Sequence, residues 1–200
     1  AGRLRLHVPW FRHDVRRAVA IGEGEKVIFS WIEWPDKATR DAGMAKTMED
    51  ERMKPDGAMP FDGKRMFWGG FEQFVTEGSD RGGSYYQGFL TPVPQENKEA
   101  FHKLAHEAWN DMFKPYGALG NHESWGVDVP HGTLTDMYRA VDAKDGEVIV
   151  MSWTTWPDRA TCDAAWGDMM ADESMGAEMG EMPFDGHRMF WGGFSTVLDE

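Results

Sequence analysis

The chain has 200 residues and a formal net charge of −13, because 34 acidic side chains outnumber 21 basic ones. A surface this acidic repels phosphate backbones and anionic lipids, so we expect neither nucleic acids nor membrane surfaces as partners. Ten Trp and twelve Phe, in a chain with 13% aromatic residues, exclude a disordered polypeptide and predict a sizeable core.

The cysteine content and the apolar runs predict a cytoplasmic protein. Cys162 is the only cysteine of the sequence, so no disulfide can form within the chain, as expected in a reducing compartment. No apolar run approaches the roughly 18 residues of a membrane span. The opening stretch, AGRLRLHVPWF, lacks the apolar region of a secretory signal.

The first predicted strand covers residues 27–34 and follows a hairpin turn in the stretch GEGEKV. One of its faces carries Ile28, Ser30, Ile32 and Trp34, and the other carries Val27, Phe29, Trp31 and Glu33. Neither face is consistently polar, whereas a sheet with one wet face alternates cleanly between apolar and polar residues. We therefore expect both faces of this strand to be covered.

The residues from Ser84 onward predict four strands and two helices. Apolar and aromatic runs bounded by turn residues indicate strands, and apolar residues at i, i+3, i+4 spacing indicate helices. The predicted elements are a strand at 84–93, a helix at 97–117 with Asn97 as N-cap, strands at 121–130 and 146–156, a helix that begins after its N-cap Asp158, and a strand at 188–198. This β-α-β-β-α-β order predicts a ferredoxin-like α+β domain, with its helices on one face of an antiparallel sheet.

Two long segments occur twice in the chain. MPFDGKRMFWGGF, at residues 59–71, and MPFDGHRMFWGGF, at residues 182–194, differ only where Lys64 corresponds to His187. SWIEWPDKATRDA, at residues 30–42, matches SWTTWPDRATCDA at residues 152–164. A repeat at the spacing of a small domain is typical of domain duplication rather than of a solenoid. We predict a first repeat at 1–76 that lacks its first strand and helix, a linker at 77–83, and a complete second repeat at 84–200.

A second sheet is the economical cover for the sheet face that the helices leave open. The predicted fold class is therefore α+β, with tandem ferredoxin-like βαββαβ repeats forming an intramolecular pseudo-dimer that could close into a barrel. Gly69-Gly70 and Gly192-Gly193 lie inside predicted strands, where glycine marks a bulge, a bend or a close approach. An edge left open in the first repeat could be filled by another chain, so a homo-oligomer also stays open.

Several strings of the sequence resemble the DUF1428 family of small bacterial proteins. They are GFLTPVP and DVPHG in the second repeat, the strand end Ser-Trp-x-x-Trp-Pro, the helix opening PDRATCDA and the strand MPFDGHRMFWGGF. The resemblance covers nearly all of residues 85–194 and about the last two thirds of a second copy. It implies a fold of the dimeric α/β-barrel type, whose single-domain members pair their sheets into a barrel, but no established activity. This chain departs from the family pattern because it is a tandem with an incomplete first copy.

The repeated segment supplies three candidate site residues. Arg65 and Arg188 follow the two Asp-Gly turns, where they could clamp a carboxylate or phosphate at a barrel mouth. Alternatively, they could form ion pairs with Asp62 and Asp185 that fix the turns. His187 could act as a general base, since histidine exchanges protons near neutral pH, or it could be an exposed turn residue.

Other residues that could carry chemistry have structural explanations. His102 and His106 have an i, i+4 spacing that can bind a metal, but no third histidine has a fitting spacing, so we expect a solvated helix face and no metal. Ser30 and Ser152 lie mid-strand without a nucleophile-elbow motif, which predicts buried, hydrogen-bonded hydroxyls. Five tryptophans are expected in the core rather than on a ligand platform: Trp31, Trp68, Trp125, Trp153 and Trp191.

Two classes of function stay open. The first is the binding of a small molecule, with or without catalysis, in an aromatic-lined barrel cavity. The polar side chains that would contact the ligand in this cavity are Arg65, Arg188, Tyr86, Glu123, Ser152 and His187. The second is a non-catalytic structural or interaction protein whose barrel is filled with side chains. Resemblance to the wider superfamily adds a cofactor-independent oxygenase, isomerase or dehalogenase by fold analogy alone, and no cofactor is expected.

Overall fold

The structure, a computed structural model, describes residues 14–54, 57, 59–172 and 182–197. These residues form five β-strands and five α-helices. The strands are β1 (Gly70–Gly78), β2 (Tyr85–Pro94), β3 (Gly120–Asp128), β4 (Glu147–Trp156) and β5 (Phe190–Ser195). The helices are α1 (Val15–Ala18), α2 (Lys37–Glu49), α3 (Lys98–Ala108), α4 (Met137–Ala140) and α5 (Arg159–Ala171). Short 3-10 helices lie at Glu51–Met53 and Gln95–Asn97, and a π-helical turn at Trp109–Phe113 follows α3.

The strands form one open antiparallel sheet in the order β1-β3-β4-β2-β5. Helix α3 connects β2 to β3, which lie on either side of β4, and α5 connects β4 to β5, which lie on either side of β2. β2 and β4 pair along their whole lengths, from Tyr85 opposite Trp156 to Pro94 opposite Glu147. All four strands predicted from Ser84 onward are present, and the fold combines helices with an antiparallel sheet.

The predicted strand at residues 27–34 is wrong, and we call this stretch segment 27–34. No strand partner for it is found within the described part of the chain. Its apolar pattern fits a sheet surface, but strand structure also requires a neighbour that takes up the backbone hydrogen bonds. β1, from the end of the first half, pairs instead with β3, from Gly70 opposite Asp128 to Gly78 opposite Gly120. The described residues therefore hold one sheet where two were expected.

The two helix N-caps predicted from the sequence have different outcomes. The carboxylate of Asp158 accepts a hydrogen bond from the backbone N–H of Thr161 at 2.8 Å, which caps α5 as predicted. Asn97 does not make the predicted capping bond to α3. Its side-chain amide donates instead to the carbonyl oxygen of Pro183 at 2.8 Å, so Asn97 ties the start of α3 to the chain that precedes β5.

Helices α3 and α5 cover one face of the sheet, which we call the helix face. Under α5 and the π-helical turn, Tyr85 and Trp156 pack with Trp109, Cys162 and Ala165. A second cluster under α3 contains Val93, Phe101, Trp125 and Val150. These helices present apolar stripes to an apolar sheet surface, so hydrophobic burial fixes their positions. Within the described ranges, none of the helices combines the length and the apolar character that crossing a bilayer requires.

The first half of the chain covers the opposite face of the sheet. Phe29 stacks on Phe194 with ring centroids 5.2 Å apart, and Trp31 stacks on Trp153 at 4.6 Å. Helices α1 and α4 contact each other and pack with Leu90, Ile149 and Phe190 into a third apolar cluster. Both faces of the sheet are therefore covered, and aromatic side chains fill the space between segment 27–34 and the sheet.

Helix α2 lies outside these clusters. Although it is described along its whole length, it buries none of its side chains. Lys37 and Arg40 reach the end of β3, where their nitrogens lie 2.8 and 2.5 Å from the Asp128 carboxylate. Solvent-exposed ion pairs of this kind contribute little to stability, so α2 is attached more weakly than α5.

Candidate functional site

Polar side chains line up on the helix face of three neighbouring strands, where burial would favour apolar residues. The strand register places Glu123 of β3 opposite Ser152 of β4, and Asn121 opposite Thr154. Gln87 of β2 lies opposite Thr154 on the other side. All five residues are buried. We call this set the polar layer.

Hydrogen bonds connect the polar layer internally. The Ser152 hydroxyl donates to Oε2 of Glu123, and the Asn121 amide donates to Oε1 of the same carboxyl at 3.2 Å. The Thr154 hydroxyl donates to the Asn121 carbonyl at 2.8 Å. Glu123 and Ser152, two of the predicted site residues, are thereby brought into direct contact.

Burial raises the pKa of the Glu123 carboxyl to about 7. Hydrogen bonds from Ser152 and Asn121 favour the ionised form and act in the opposite direction, but they do not outweigh the loss of hydration. Both donating groups are uncharged. Glu123 can therefore hold or release a proton near neutral pH, which an ordinary surface glutamate cannot do.

Aromatic side chains border the polar layer on the side of α5. The indole N–H of Trp166 donates to the Gln87 carbonyl at 2.8 Å. The Trp166 ring also lies parallel to that of Trp191 on β5, with centroids 5.9 Å apart and an interplanar angle of 4°. Trp166, Trp191 and the neighbouring Phe89 are each partly exposed, so this border is the accessible side of the layer.

A second polar cluster lies on the opposite face and was not predicted from the sequence. Asp80, in the connection between β1 and β2, accepts hydrogen bonds from the Thr155 hydroxyl, from Nε2 of His122 at 3.1 Å and from the Trp153 indole at 3.2 Å. Burial pushes the pKa of Asp80 upward, but these bonds outweigh it and hold the pKa below its ordinary value. Asp80 is thus an ionised anchor for two strands.

Two hydrogen bonds and one stacked ring fix the position of the His122 ring within this cluster. Nδ1 accepts from the Gln73 side-chain amide at 2.7 Å while Nε2 donates to Asp80. The ring also stacks on Trp153, with centroids 4.7 Å apart. Because both ring nitrogens are engaged within the protein, His122 serves to position β1 against β3.

The two predicted arginines lie in equivalent settings. Arg188 binds both carboxylate oxygens of Glu147 at 2.5 and 2.6 Å, and it also donates to Asp185 and to the Asp142 carbonyl, both at 3.0 Å. Arg65 repeats the arrangement in the first half, with Glu25, Asp62 and the Ala20 carbonyl as acceptors. Each guanidinium is occupied by two carboxylates and holds a turn, in agreement with the ion-pair alternative.

The remaining predicted site residues lie away from the polar layer. Tyr86 is on the opposite face, where its ring contacts Trp31 at 5.4 Å. His187 is exposed on its turn, and its backbone N–H donates to Asp185 at 3.1 Å. The structure therefore does not gather the six predicted residues into one site: it joins Glu123 with Ser152 and separates the others.

The histidine pair of α3 has partners within the protein. The rings of His102 and His106 are 4.6 Å apart, and Nδ1 of His106 lies 2.5 Å from the Glu77 carboxylate. Across the ranges that the structure describes, no cluster of three or more His, Cys, Asp or Glu side chains is arranged to hold a metal ion.

Two open depressions occur near α1 and α4, away from the polar layer. One, with a volume of about 450 Å³, is lined by His131, Tyr138 and Arg139, among others. The other, of about 170 Å³, lies between α1 and α4 and is bordered by Arg17 and Arg139. None of the six predicted site residues lines either depression.

Comparison with known proteins gives the chain a family. The sequence profile described as "Protein of unknown function (DUF1428)" matches residues 10–63 and 84–186. The chain belongs to the DUF1428 family. The uncharacterized protein YbaA of Escherichia coli K12 is 44% identical over 117 residues, which are 58% of this chain and 98% of YbaA. The YbaA proteins of Escherichia coli O157:H7 and Shigella flexneri show the same identity and coverage.

The DUF1428 matches include the polar layer and the first-half segment that covers the sheet. Gln87, Glu123 and Ser152 fall inside the second matched segment, and Trp31 falls inside the first. The first matched segment is about half as long as the second. The names of the family and of these relatives assign no activity.

Proposed function

We propose that this protein binds a small planar molecule at the polar layer, and that the Glu123 carboxyl exchanges a proton with it. The buried carboxyl of Glu123, with its pKa raised to about 7, is the observation that carries the proposal. Burying an ionisable group is unfavourable, and a neutral side chain at this position would avoid that cost. Groups with strongly perturbed pKa values cluster at functional sites.

The composition of the polar layer favours a small, planar, uncharged ligand. Hydroxyl and amide groups of Ser152, Thr154, Asn121 and Gln87 can donate to or accept from a neutral polar molecule. The parallel rings of Trp166 and Trp191 at the border suit a flat partner, because aromatic rings stack with one another. Entry would require the Trp166 indole to leave Gln87, which breaks one hydrogen bond of a partly exposed side chain.

Replacement of Glu123 by Gln tests the proton chemistry through stability. The raised pKa means that folded Glu123 keeps its proton at a pH where the unfolded chain has lost it. Its contribution is therefore fully present below about pH 4.5 and is lost as the pH rises through about 7. Glu123→Gln should match the wild type near pH 4.5 and exceed its free energy of unfolding by about 3 kcal/mol near pH 8.

Urea denaturation at several pH values measures this difference, with the exposed Glu96→Gln as control. A difference between Glu123→Gln and wild type that does not change with pH would contradict a raised pKa. Binding is tested by the melting temperature in the presence of a panel of phenols and nitrogen heterocycles. At least one should stabilise the wild type and not Glu123→Gln, whereas no shift at millimolar concentration would count against binding.

A non-catalytic structural or interaction protein is the second candidate. The aromatic packing of Phe29 and Trp31 against Phe194 and Trp153 favours it, because a filled space between sheet and segment leaves no room for a ligand there. This candidate predicts that no ligand binds at Glu123.

We also propose the finer architecture, in which a ferredoxin-like repeat at 1–76 that lacks its first strand and helix forms an intramolecular pseudo-dimer with the complete repeat at 84–200. The proposal is supported because residues at corresponding positions of the two repeats contact each other or adopt the same backbone conformation. Trp31 and Trp153, which correspond in the repeat, stack on each other, and the corresponding helices α1 and α4 are in contact. The corresponding residues Ala20 and Asp142 share a φ of 47°, a conformation that non-glycine residues rarely adopt.

A further inference from the structure

Positions that correspond in the two halves differ sharply in exposure. Val150 and Thr154 of β4 are fully buried, with exposures of 0%. The matching residues of segment 27–34, Ile28 and Ile32, are 80% and 74% exposed. The opposite side of the segment packs on the sheet through Phe29 and Trp31, so Ile28 and Ile32 lie on an outward apolar face.

The elements around β4 explain why its residues are buried. β2 and β3 pair with its two edges, and α3 lies over the helix face beside them. Segment 27–34 has no such neighbours within the described ranges, so its backbone N–H and C=O groups form no strand ladder there. Exposed backbone groups of this kind are a ready template for added strands.

Another apolar side chain of the first half, Phe61, shows the same contrast. Phe184 packs against Phe101 of α3 with ring centroids 5.6 Å apart, whereas the matching Phe61 is 45% exposed. Ile28, Ile32 and Phe61 are thus exposed where their counterparts are covered, and we call these three side chains the uncovered face. Large apolar side chains that are exposed where their counterparts are covered favour an interaction site.

We propose that the uncovered face binds a β-α-β polypeptide segment with the pattern of residues 85–128, whose two strands pair with both edges of segment 27–34. In the second half, this pattern supplies the two neighbouring strands and the helix that bury the matching positions. The inference rests on the internal correspondence of the two halves and does not depend on the proposed ligand.

A second copy of the chain fits this face less well. The unit at residues 85–128, which has this pattern, is already paired within its own sheet. Pairing of two copies through segment 27–34 alone would add a strand but no helix to cover Phe61. The net charge of −13 on each copy also opposes association.

An extended chain tests the proposal directly. A copy of residues 84–130 is joined in front of Trp10, since Pro130 corresponds to Pro9 in the repeat. Amide hydrogen exchange is then followed in segment 27–34. We expect exchange to slow about 100-fold relative to the original chain, because strand pairing protects backbone N–H groups. Binding of a dye that reports exposed apolar surface should fall in parallel.

A matched control carries Phe89→Pro and Ser124→Pro in the added copy alone, because proline cannot donate within a strand ladder. Slow amide hydrogen exchange in β4 shows that the second half is folded in each variant. Equal exchange of segment 27–34 in the extended chain and in the control would overturn the proposal. So would protection in the original chain that rises with protein concentration alongside a dimer mass, since the occupant would then be a second copy.

Discussion

Arg188 and Arg65 make the same set of contacts, but the two ion pairs differ in their access to water. The Arg188 side chain is 10% exposed and its Glu147 partner 6%, whereas Arg65 and Glu25 are 22% and 42% exposed. Water screens the first-half pair and weakens it. The arginine in the second half therefore contributes more to stability, although the local sequence around it is nearly identical.

Arg188→Ala should lower the free energy of unfolding by about 2 kcal/mol, because it leaves the Glu147 carboxylate buried without its partner. Arg65→Ala should have a smaller effect. Arg188 holds the pKa of Glu147 below its ordinary range, so this contribution is present at neutral pH and is lost as the pH falls through that lowered pKa. Urea denaturation measures both variants, and equal losses at pH 7 would contradict the difference in burial.

Single residues of the site could be predicted only in part. Glu123 and Ser152 are polar residues in apolar strands, and that signal identifies them without the structure. Their hydrogen bond depends on the register between β3 and β4, which one sequence does not specify. Asp80 lies in the predicted linker, and its partner Thr155 is far away in the chain, so no local pattern indicates its role.

Helices α2 and α5 have the same N-cap chemistry and different surroundings. Asp36 accepts from the backbone N–H of Thr39 at 2.7 Å, as Asp158 does from that of Thr161 at 2.8 Å. α5 buries three side chains against the sheet, whereas α2, described in full, buries none. The stability of α5 is thus coupled to the core and that of α2 is not.

Asp158→Ala should lower the free energy of unfolding by about 1 kcal/mol, the usual effect of losing an N-cap. Asp36→Ala should leave it nearly unchanged, because fraying of α2 uncovers little apolar surface. Circular dichroism during urea denaturation measures both. If the two substitutions have the same effect, α2 is coupled to the core more strongly than its contacts indicate.

The elements themselves were largely predictable from the sequence. Apolar periodicity and turn residues located the strands of the second half and the start of α5, because those signals are local. Segment 27–34 carries the same apolar pattern as β4 but forms no strand ladder with the described residues. The addition of β1 to β3 could not be predicted either, since strand partners are a property of the whole fold.

At the scale of the whole molecule, the two halves are unequally anchored. Of the elements that the structure describes, the second half contains four of the five strands and two of the three buried clusters, and α1 of the first half contributes to the third. The first half contacts the second half through β1, through α1 and through a few aromatic side chains. The ion pairs of Lys37 and Arg40 with Asp128 also join the two halves. Local unfolding should therefore begin in the first half.

Limited trypsin digestion should cut first after Lys46 and Arg52, at least about tenfold faster than after Lys103 of α3. The Lys103 side chain is 78% exposed and that of Arg52 is 87% exposed, so access to the side chain does not separate them. The backbone around Lys103 is held by the buried Phe101 and Ala105. Mass spectrometry of early digests identifies the cuts, and an early cut after Lys103 would contradict unequal anchoring.

The two stacked tryptophan pairs also have an optical consequence. Indoles this close couple their electronic transitions, so each pair should add a paired positive and negative band to the ultraviolet circular dichroism. One pair, Trp31 with Trp153, spans the two halves, and the other, Trp166 with Trp191, lies within the second half beside the polar layer. The molecule thus carries two label-free signals, one reporting whether the first half is seated on the sheet and the other reporting the state of the border at Gln87.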